Sequence, residues 1–255
     1  MEWESEHAFR VGDVKFVRGY SGTSTPQRFV IQKDHELVSR YVELADRFHG
    51  ARIMELGIAQ GGSTALLALL AEPSKLVAIE RRDEVPALAI FDRVSPHFHV
   101  NQRDRSAVGD IADREFDGPI DLVIDDASHV YDLTVCSFEV LFPRLRPDGW
   151  YVIEDWSTHY GIAERARVGA LERATRSSAQ SPLARIAVEL MLASVSSPQT
   201  IRQVTVDRRW IVVQRGPACD SNLRLSDLYT DHFGWLENDR DWYERLWEPT
   251  VTSGA

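Results

Sequence analysis

The chain has little cysteine and no apolar run of the length that a membrane span requires. Cys136 and Cys219 are its only cysteines and form no CxxC pair, which argues against a disulfide framework and against a thiolate zinc site. Apolar runs such as residues 65–71 are far shorter than the roughly 20 residues that span a bilayer. The polar start MEWESEH is unlike a signal peptide. We therefore expect a soluble, cytoplasmic protein.

The chain also has fewer basic than acidic residues. The 29 Lys and Arg stand against 39 Asp and Glu, for a formal net charge of −10. Such a surface repels phosphate backbones and anionic headgroups, so neither nucleic acid nor a membrane is expected as the partner. A neutral or cationic small molecule suits this charge better.

Helix and strand patterns alternate over the first 160 residues. Apolar residues recur at helical spacing in 37–48, and the run ARIMELG that follows is typical of a strand. The same patterns predict further strands in KLVAIE, HFHVNQ, DLVID and GWYVIED, and helices near 63–70, 86–94, 106 and 131–145. Strands separated by helices indicate a parallel sheet with helices on both faces.

The pattern changes after residue 160. A long helical stretch, 162–195, precedes two strand-like runs, TIRQVTV and RRWIVVQ. Their connection is so short that the two strands must pair antiparallel as a hairpin. Parallel strands closed by a terminal antiparallel hairpin are the order of class I methyltransferases. The predicted fold is thus α/β and Rossmann-like, a mostly parallel seven-stranded sheet with an antiparallel C-terminal hairpin.

We expect one domain over residues 1–255, with its core at about 34–215. The N-terminal arm, 1–33, and the C-terminal tail, 216–255, look less regular, and the tail is acidic and rich in Trp and Tyr. These two segments are interpreted as lids over a substrate, as contacts in a homo-oligomer, or as simple covers for the core.

A glycine-containing turn between a strand and a helix forms the first candidate site. The stretch IMELGIAQGGST brings backbone N–H groups and a helix N-terminus to a ligand. Ala59 stands where many nucleotide-binding turns carry a glycine, which weakens the case for a pyrophosphate ligand. The predicted cofactor-binding residues here are Glu55, Gly57, Gly61, Gly62 and Ser63.

Two acidic residues extend this site. Glu80 ends the next predicted strand, where a carboxylate accepts hydrogen bonds from the ribose hydroxyls of an adenosine ligand. Asp104 follows the third strand and is a candidate acceptor for the adenine amino group. The alternatives are a surface ion pair of Glu80 with Arg81 or Arg82, and an ion pair of Asp104 with its neighbouring arginines.

A second constellation follows the fourth and fifth predicted strands. Asp126 ends one of these strands, and Glu154 and Asp155 end the other. Since the carboxyl ends of neighbouring parallel strands face one crevice, the three carboxylates are expected to converge. Hard oxygen ligands without cysteine suit Mg²⁺, Mn²⁺ or Ca²⁺. We predict a metal site here.

His129 and Asp125 complete that constellation. His129 follows Asp126 by three residues and is the candidate general base, with Asp126 beside it at the catalytic centre; His159 is the reserve candidate. Successive strand side chains point to opposite faces, so Asp125 with Asp126, or Glu154 with Asp155, cannot share a face unless the backbone bends. Asp125 is therefore assigned a supporting role behind the site, grouped with the cofactor-binding residues.

Together, ELGIAQGGST, IDDASH and FEVLFPRLRPDGWYVIEDW resemble the metal-dependent sugar O-methyltransferases of macrolide and polyketide biosynthesis, and the related rhamnosyl O-methyltransferase and cephalosporin hydroxylase group. The resemblance covers roughly residues 34–215. It implies S-adenosylmethionine and Mg²⁺ (or Mn²⁺) as cofactors and a small-molecule glycoside as acceptor. It also implies that Asp126, Glu154 and Asp155 bind the metal, that His129 is the base, and that Glu80 binds the ribose.

Other functions remain open at this point. The same scaffold supports methylation of a catechol-like hydroxyl pair or a role in hydroxylation. A nicotinamide oxidoreductase would explain the glycine turn and Glu80 but not the metal constellation, and a silent binding module would need none of it. Aromatic residues are candidate walls for a bulky acceptor; they are Tyr131, Trp156, Tyr160 and the tryptophans of the tail.

Overall fold

The computed structural model describes residues 1–157 and 183–229. These residues form a four-stranded sheet at the N-terminal end of the chain and a seven-stranded sheet with helices on both faces. None of the helices in these two stretches is long and apolar enough to cross a membrane.

The N-terminal sheet consists of β1 (Glu2–Ser5), β2 (Ala8–Val11), β3 (Val14–Arg18) and β4 (Arg28–Ile31), in that order across the sheet. Phe9, Phe16 and Phe29 are buried and stack in sequence, with ring centroids 4.9 and 6.1 Å apart. The expectation that this arm is irregular is wrong. Its strands are short, but their alternating aromatic residues bury one face against the rest of the core.

Helix α1 (His35–Arg47) begins directly after this sheet. The Asp34 side chain accepts a hydrogen bond from the Leu37 N–H and caps the helix. The apolar face of α1 packs into the same core as the phenylalanines. This helix falls where the helical spacing in residues 37–48 predicts it.

The seven-stranded sheet has the order β10-β11-β9-β8-β5-β6-β7. Strand β11 pairs antiparallel with both β9 and β10, and the remaining pairs are parallel. This is the sheet that the sequence predicts. Its strands are β5 (Arg52–Leu56), β6 (Lys75–Ile79), β7 (Val94–His97), β8 (Ile120–Asp125), β9 (Leu145–Glu154), β10 (Ile201–Val206) and β11 (Trp210–Arg215).

The other helices of the described residues are α2 (Gly62–Leu70), α3 (Arg105–Glu115), α4 (Tyr131–Leu141) and α5 (Arg185–Ser196). The helix expected at 86–94 is only a 3₁₀ turn at Pro86–Ile90. The helix expected to reach residue 145 ends at Leu141, because Pro143 cannot continue it and a 3₁₀ turn follows. Of the helix expected at 162–195, residues 162–182 lie outside the described part.

Strand β7 is shifted relative to the expected HFHVNQ. It ends at His97 and contains Pro96, which lacks an N–H to donate. Because β7 is an edge strand of the sheet, a proline is tolerated there. The residues after it, including Asn101 and Gln102, are released to form a loop.

Both faces of the large sheet are apolar, because alternate residues of each strand enter different clusters. Met54 and Val123 belong to the cluster that includes α3, α4 and α5, whereas Ile53 and Leu122 belong to the one that includes α1 and α2. Strands β5, β6, β8 and β9 end at the same edge. The loops that follow them carry the candidate site.

Candidate active site

One cavity of about 760 Å³ opens at the carboxyl ends of the parallel strands. It is lined by the loops that follow β5, β6, β8 and β9, and by the segment between β3 and α1. Its charged and polar lining includes Lys33, Glu80, Gln102, Asp126, His129 and Asp155. The two constellations predicted from the sequence thus meet in one place.

Two glycines shape the turn after β5. Gly57 has φ +97°, and a Cβ there would collide with the backbone carbonyl of Asp126. Gly61 has φ +80° and is the N-cap of α2. The absence of a side chain at Gly57 therefore lets the loops after β5 and β8 pack against each other. Gly61 precedes the first residue of α2 with a left-handed backbone conformation, which glycine adopts easily.

Gly62 and Ser63 begin α2 and line the cavity. A Cβ at Gly62 would collide with Val30 and Ile31 of the N-terminal sheet. The absence of a side chain at Gly62 thus lets the N-terminal strand approach the turn, a use that the sequence does not predict.

Glu55 does not line the cavity, contrary to its assignment as a cofactor-binding residue. It is fully buried in β5 beneath the turn, where Thr64 Oγ1 donates a 2.5 Å hydrogen bond to Oε2. The other oxygen has no hydrogen-bond partner among the described residues. Burial raises the pKa of Glu55 to about 6.

Glu80 is held against the turn by backbone donors. Its Oε2 accepts hydrogen bonds from the N–H groups of Ile58 (3.0 Å) and Ala59 (2.8 Å), and its Oε1 accepts one from Arg82 N–H (2.9 Å). Ala59 has φ +47°, so this carboxylate stabilises a backbone conformation that alanine rarely adopts. The alternative of an ion pair with the Arg81 or Arg82 side chain does not describe these contacts.

Asp104 is not among the residues that line the cavity. It caps α3, and its side chain accepts a 3.0 Å hydrogen bond from Ala107 N–H. Its assignment to adenine is therefore not supported by its position. The preceding Asn101 and Gln102 line the cavity instead, and the sequence pattern does not single them out.

Asp125 lies behind the cavity. It is 2% exposed and accepts hydrogen bonds from Gln102 Nε2 (2.8 Å), Ser137 Oγ (2.8 Å) and Tyr151 OH (3.0 Å). Burial raises the pKa of this carboxyl. Gln102 in turn accepts a 2.8 Å hydrogen bond from Ser128 Oγ. Asp125 does not line the cavity itself, but it holds the side chain of Gln102, which does.

Asp126, His129 and Asp155 form a cluster in the lining of the cavity. One donor atom from each lies within 4.8 Å of the others, and His129 Nε2 is 3.8 Å from Asp126 Oδ1. His129 and Asp155 both have φ +53°. The backbone thus leaves the regular strand conformation in both loops, directly after β9 at Asp155 and four residues after β8 at His129.

Glu154 is not part of this cluster. It is fully buried, and it accepts hydrogen bonds from Tyr41 OH (3.0 Å), Trp210 Nε1 (3.3 Å) and Lys33 Nζ. Both of its oxygens therefore accept hydrogen bonds from side chains of the protein, and its assignment as a metal ligand stays a prediction. The alternation along β9 directs Glu154 towards α1 and β11.

Lys33 is the most important residue that the sequence pattern does not reveal. It is 4% exposed, and its ammonium donates to Asp126 Oδ2 (2.5 Å) as well as to Glu154. Burial alone would lower the pKa of Lys33, but the charges of Asp126 and Glu154 outweigh it and raise the pKa above the usual value. The contacts join residues far apart in sequence, which no local pattern encodes.

The expected aromatic walls are only partly described. Tyr131 donates to Glu189 and Trp156 donates to the carbonyl of Asp207, and neither is among the cavity-lining residues. Tyr160, His159 and the tail tryptophans lie outside the described residues. Tyr20, which is 82% exposed, lines the cavity from the N-terminal segment and was not predicted.

Residues 54–156 match a family described as a methyltransferase domain. The 8-demethyl-8-alpha-L-rhamnosyl tetracenomycin-C 2'-O-methyltransferase of Streptomyces olivaceus is 46% identical over 104 residues, which cover 38% of this chain and 26% of the relative. The L-olivosyl-oleandolide 3-O-methyltransferase of Streptomyces antibioticus is 38% identical over 122 residues, covering 46% of this chain and 31% of the relative. The chain thus spans less than a third of the length of these relatives.

Among solved structures, the MycE methyltransferase from the mycinamycin biosynthetic pathway, in complex with Mg, SAH and mycinamycin VI, is 25% identical with a TM-score of 0.53. The comparison covers 71% of this chain and 54% of that one. The predicted Rossmann-like class I methyltransferase fold is confirmed. The match of residues 54–156 to a methyltransferase domain and the similarity to the relatives named above confirm the resemblance to the sugar O-methyltransferases of macrolide and polyketide biosynthesis.

Proposed function

We propose that the protein is an S-adenosylmethionine-dependent O-methyltransferase that uses Mg²⁺ or Mn²⁺ and acts on a sugar hydroxyl of a natural-product glycoside. The observation that supports this most strongly is the shared cavity. The turn held by Glu80 and the cluster of Asp126, His129 and Asp155 line the same cavity. A methyl donor and an acceptor can therefore meet there.

The donor side consists of the glycine turn, Glu80, Asn101 and Gln102. The Glu80 carboxylate accepts three backbone hydrogen bonds, and a carboxylate offers about four lone-pair sites. One lone-pair site of Glu80 therefore remains to accept a hydrogen bond from a ribose hydroxyl. The backbone donors fix the orientation of Glu80 before the ligand arrives, which reduces the entropy lost on binding.

The cluster fits a hard divalent cation. The carboxylates of Asp126 and Asp155 lie within 4.8 Å of each other and of the His129 imidazole, without any cysteine, and carboxylate oxygens are the ligands that suit Mg²⁺ or Mn²⁺. We assign the cation to Asp126 and Asp155, with His129 beside it. When bound, such a cation acts as a Lewis acid that lowers the pKa of an acceptor hydroxyl.

His129 is then the general base. Its Nε2 faces the Asp126 carboxylate at 3.8 Å and can take the proton from the acceptor hydroxyl, whose oxygen attacks the sulfonium methyl in line. The C–S bond breaks as the O–C bond forms, which leaves S-adenosylhomocysteine and the methyl ether. Alignment of the two reactants in the cavity supplies most of the rate gain.

The sugar acceptor is supported by the relatives, whose names specify methylation at the rhamnosyl 2' position and at the olivosyl 3 position. The N-terminal segment lines the acceptor cavity at Arg18, Tyr20 and Gln32. We therefore assign residues 1–33 to the same domain as the core, as a lid over the acceptor.

The test is transfer of a labelled methyl group from S-adenosylmethionine to a panel of deoxysugar glycosides and catechols, with Mg²⁺ and again with EDTA. We expect a glycoside to be methylated and EDTA to abolish transfer. A methylated catechol would show that the acceptor is a catechol and not a sugar, whereas a product heavier by one oxygen atom would indicate hydroxylation. No transfer to any acceptor, by protein shown to bind the methyl donor, would contradict the proposal.

A further inference from the structure

A second cavity, of about 570 Å³, lies at the opposite edge of the large sheet from the candidate active site. It is formed where β8 begins at Ile120, β9 begins at Leu145 and the antiparallel β11 ends at Arg215. Apolar residues on its walls include Phe116 and three prolines. The two cavities share no lining residue, and a volume of this size is enough for a small organic molecule.

Four of the five charged side chains that line this second cavity are paired with an opposite charge. The pairs are Arg144 with Asp113, Arg146 with Asp121, and Asp117 with Arg52. The fifth charged side chain, Arg215, forms no ion pair with any of the described residues. Arg215 is therefore the charged group of this cavity that still needs a counter-ion.

Arg215 is also buried, which makes the lack of a carboxylate unusual. The residue is 9% exposed, its Nη1 donates a 3.0 Å hydrogen bond to the carbonyl of Gly216, and its buried Nε has no hydrogen-bond partner among the described residues. A buried charge is costly unless it is paired. Arginine cannot avoid this cost by releasing its proton.

The thiol of Cys219 lies near Arg215 but does not supply the missing negative charge. Burial raises the pKa of this thiol, although the positive charge of Arg215 acts in the opposite direction. Cys219 is therefore a neutral thiol at pH 7. The guanidinium can be neutralised only by an anion from outside the described residues.

We propose that this second cavity binds a small molecule that carries an oxyanion group, a phosphate or a carboxylate, on an apolar body. The oxyanion binds the guanidinium of Arg215, whose planar set of N–H donors matches two oxygens of such a group. The apolar body packs against Phe116 and the prolines. Because the site is separate from the cavity of the proposed function, it does not depend on methyl transfer.

The experiment is calorimetric titration of the full chain with phenyl phosphate and with benzoate, at pH 7 and physiological ionic strength. Phenol is the neutral analogue of both probes. We expect one of the two anions to bind, and phenol to bind at least about tenfold more weakly, because it forms no charge-assisted hydrogen bonds with Arg215. The anion that binds more tightly identifies the oxyanion group as phosphate or carboxylate.

Arg215→Met removes the guanidinium and should lower the affinity for that anion at least about tenfold. Arg202→Met is the matched control, because Arg202 lies on the neighbouring strand β10, is about half exposed and pairs with Asp148. The control should bind the anion as the wild type does. If Arg215→Met does not fold, Arg215→Gln decides, since it keeps an N–H donor but has no charge and should show the same loss.

Three results would overturn the proposal. The first is that the wild type binds neither anion at millimolar concentration. The second is wild-type affinity in a folded Arg215→Met or Arg215→Gln variant, which would show that the anion binds elsewhere on the chain. The third is equal affinity for phenol and the anions, which would leave an apolar cavity without an oxyanion site.

Discussion

His129 Nε2 lies 3.8 Å from Asp126 Oδ1, on a loop whose backbone has φ +53° at the histidine. A positive φ is unfavourable for a residue other than glycine, and contacts in the surrounding structure have to offset its free-energy cost. Here the strained loop turns the imidazole towards the carboxylate and into the cavity. The relationship connects a local backbone feature with the placement of the proposed base.

His129→Ala tests that placement. We expect turnover to fall by about 10²-fold or more, because the acceptor hydroxyl loses its base, while the affinity for S-adenosylmethionine stays unchanged. Steady-state kinetics and calorimetric titration of the cofactor measure the two quantities. His49→Ala, at an exposed position just after α1, is the control. Undiminished turnover in His129→Ala would remove His129 from the mechanism.

Much of the fold is encoded locally and is therefore predictable. Strand and helix periodicity in residues 34–215 is visible residue by residue, and a short connection between β10 and β11 permits only an antiparallel hairpin. The N-terminal sheet was not predicted, although its strands are about as long as β5 and β6. Strands β5 and β6 have four buried residues each and form nearly continuous apolar runs, whereas β1, β2 and β3 are mostly exposed or half-buried and contain charged residues, so their sequence does not differ clearly from that of a loop.

The site is predictable in position but not in detail. Strand alternation shows that Glu154 and Asp155 face different sides, but only the packed structure shows which of them reaches the cavity. Lys33 contacts Asp126 and Glu154, which are 93 and 121 residues away. A contact at that separation depends on how α1 docks against the sheet, and a single sequence contains no direct signal of it.

Glu80→Gln tests the donor side. Both Glu80 oxygens accept hydrogen bonds from backbone N–H groups, so the NH₂ group of a glutamine would face a donor in either orientation. The substitution also removes the charge-assisted hydrogen bonds proposed between Glu80 and the ribose. Hydrogen bonds to charged groups contribute about 1.5–3 kcal/mol, so cofactor affinity should fall roughly 10- to 100-fold. Calorimetric titration with S-adenosylhomocysteine measures it.

The control for that change is Glu84→Gln, which removes the same charge at an exposed position four residues later. It should leave cofactor affinity unchanged. If Glu80→Gln binds the cofactor as tightly as the control does, Glu80 serves only to hold the turn and has no part in ribose recognition.

Gly57→Ala and Gly12→Ala form a matched pair for the fold beneath the site. Both glycines have positive φ, +97° and +55°, but a Cβ at Gly57 meets the Asp126 carbonyl, whereas a Cβ at Gly12 meets nothing within 4 Å. The left-handed backbone costs each variant about 1–2 kcal/mol. Gly57→Ala adds overpacking of about 1–3 kcal/mol. In urea unfolding, Gly57→Ala should have a clearly lower free energy of unfolding than Gly12→Ala. Equal stability of the two variants would contradict the close approach of the Asp126 carbonyl to Gly57.

Glu55 makes stability depend on pH in a defined direction. Its pKa rises from 4.5 to about 6 in the folded protein because of burial, so the folded state binds more protons than the unfolded state between these values. Folding stability is therefore highest below pH 4.5 with respect to this group and falls as pH rises through 6, by about 2 kcal/mol. Glu55→Gln stays neutral, so its stability relative to the wild type should increase by that amount between pH 4.5 and 7. Urea unfolding at both pH values measures the increase, and a difference that does not change with pH would show that Glu55 is ionised at no cost.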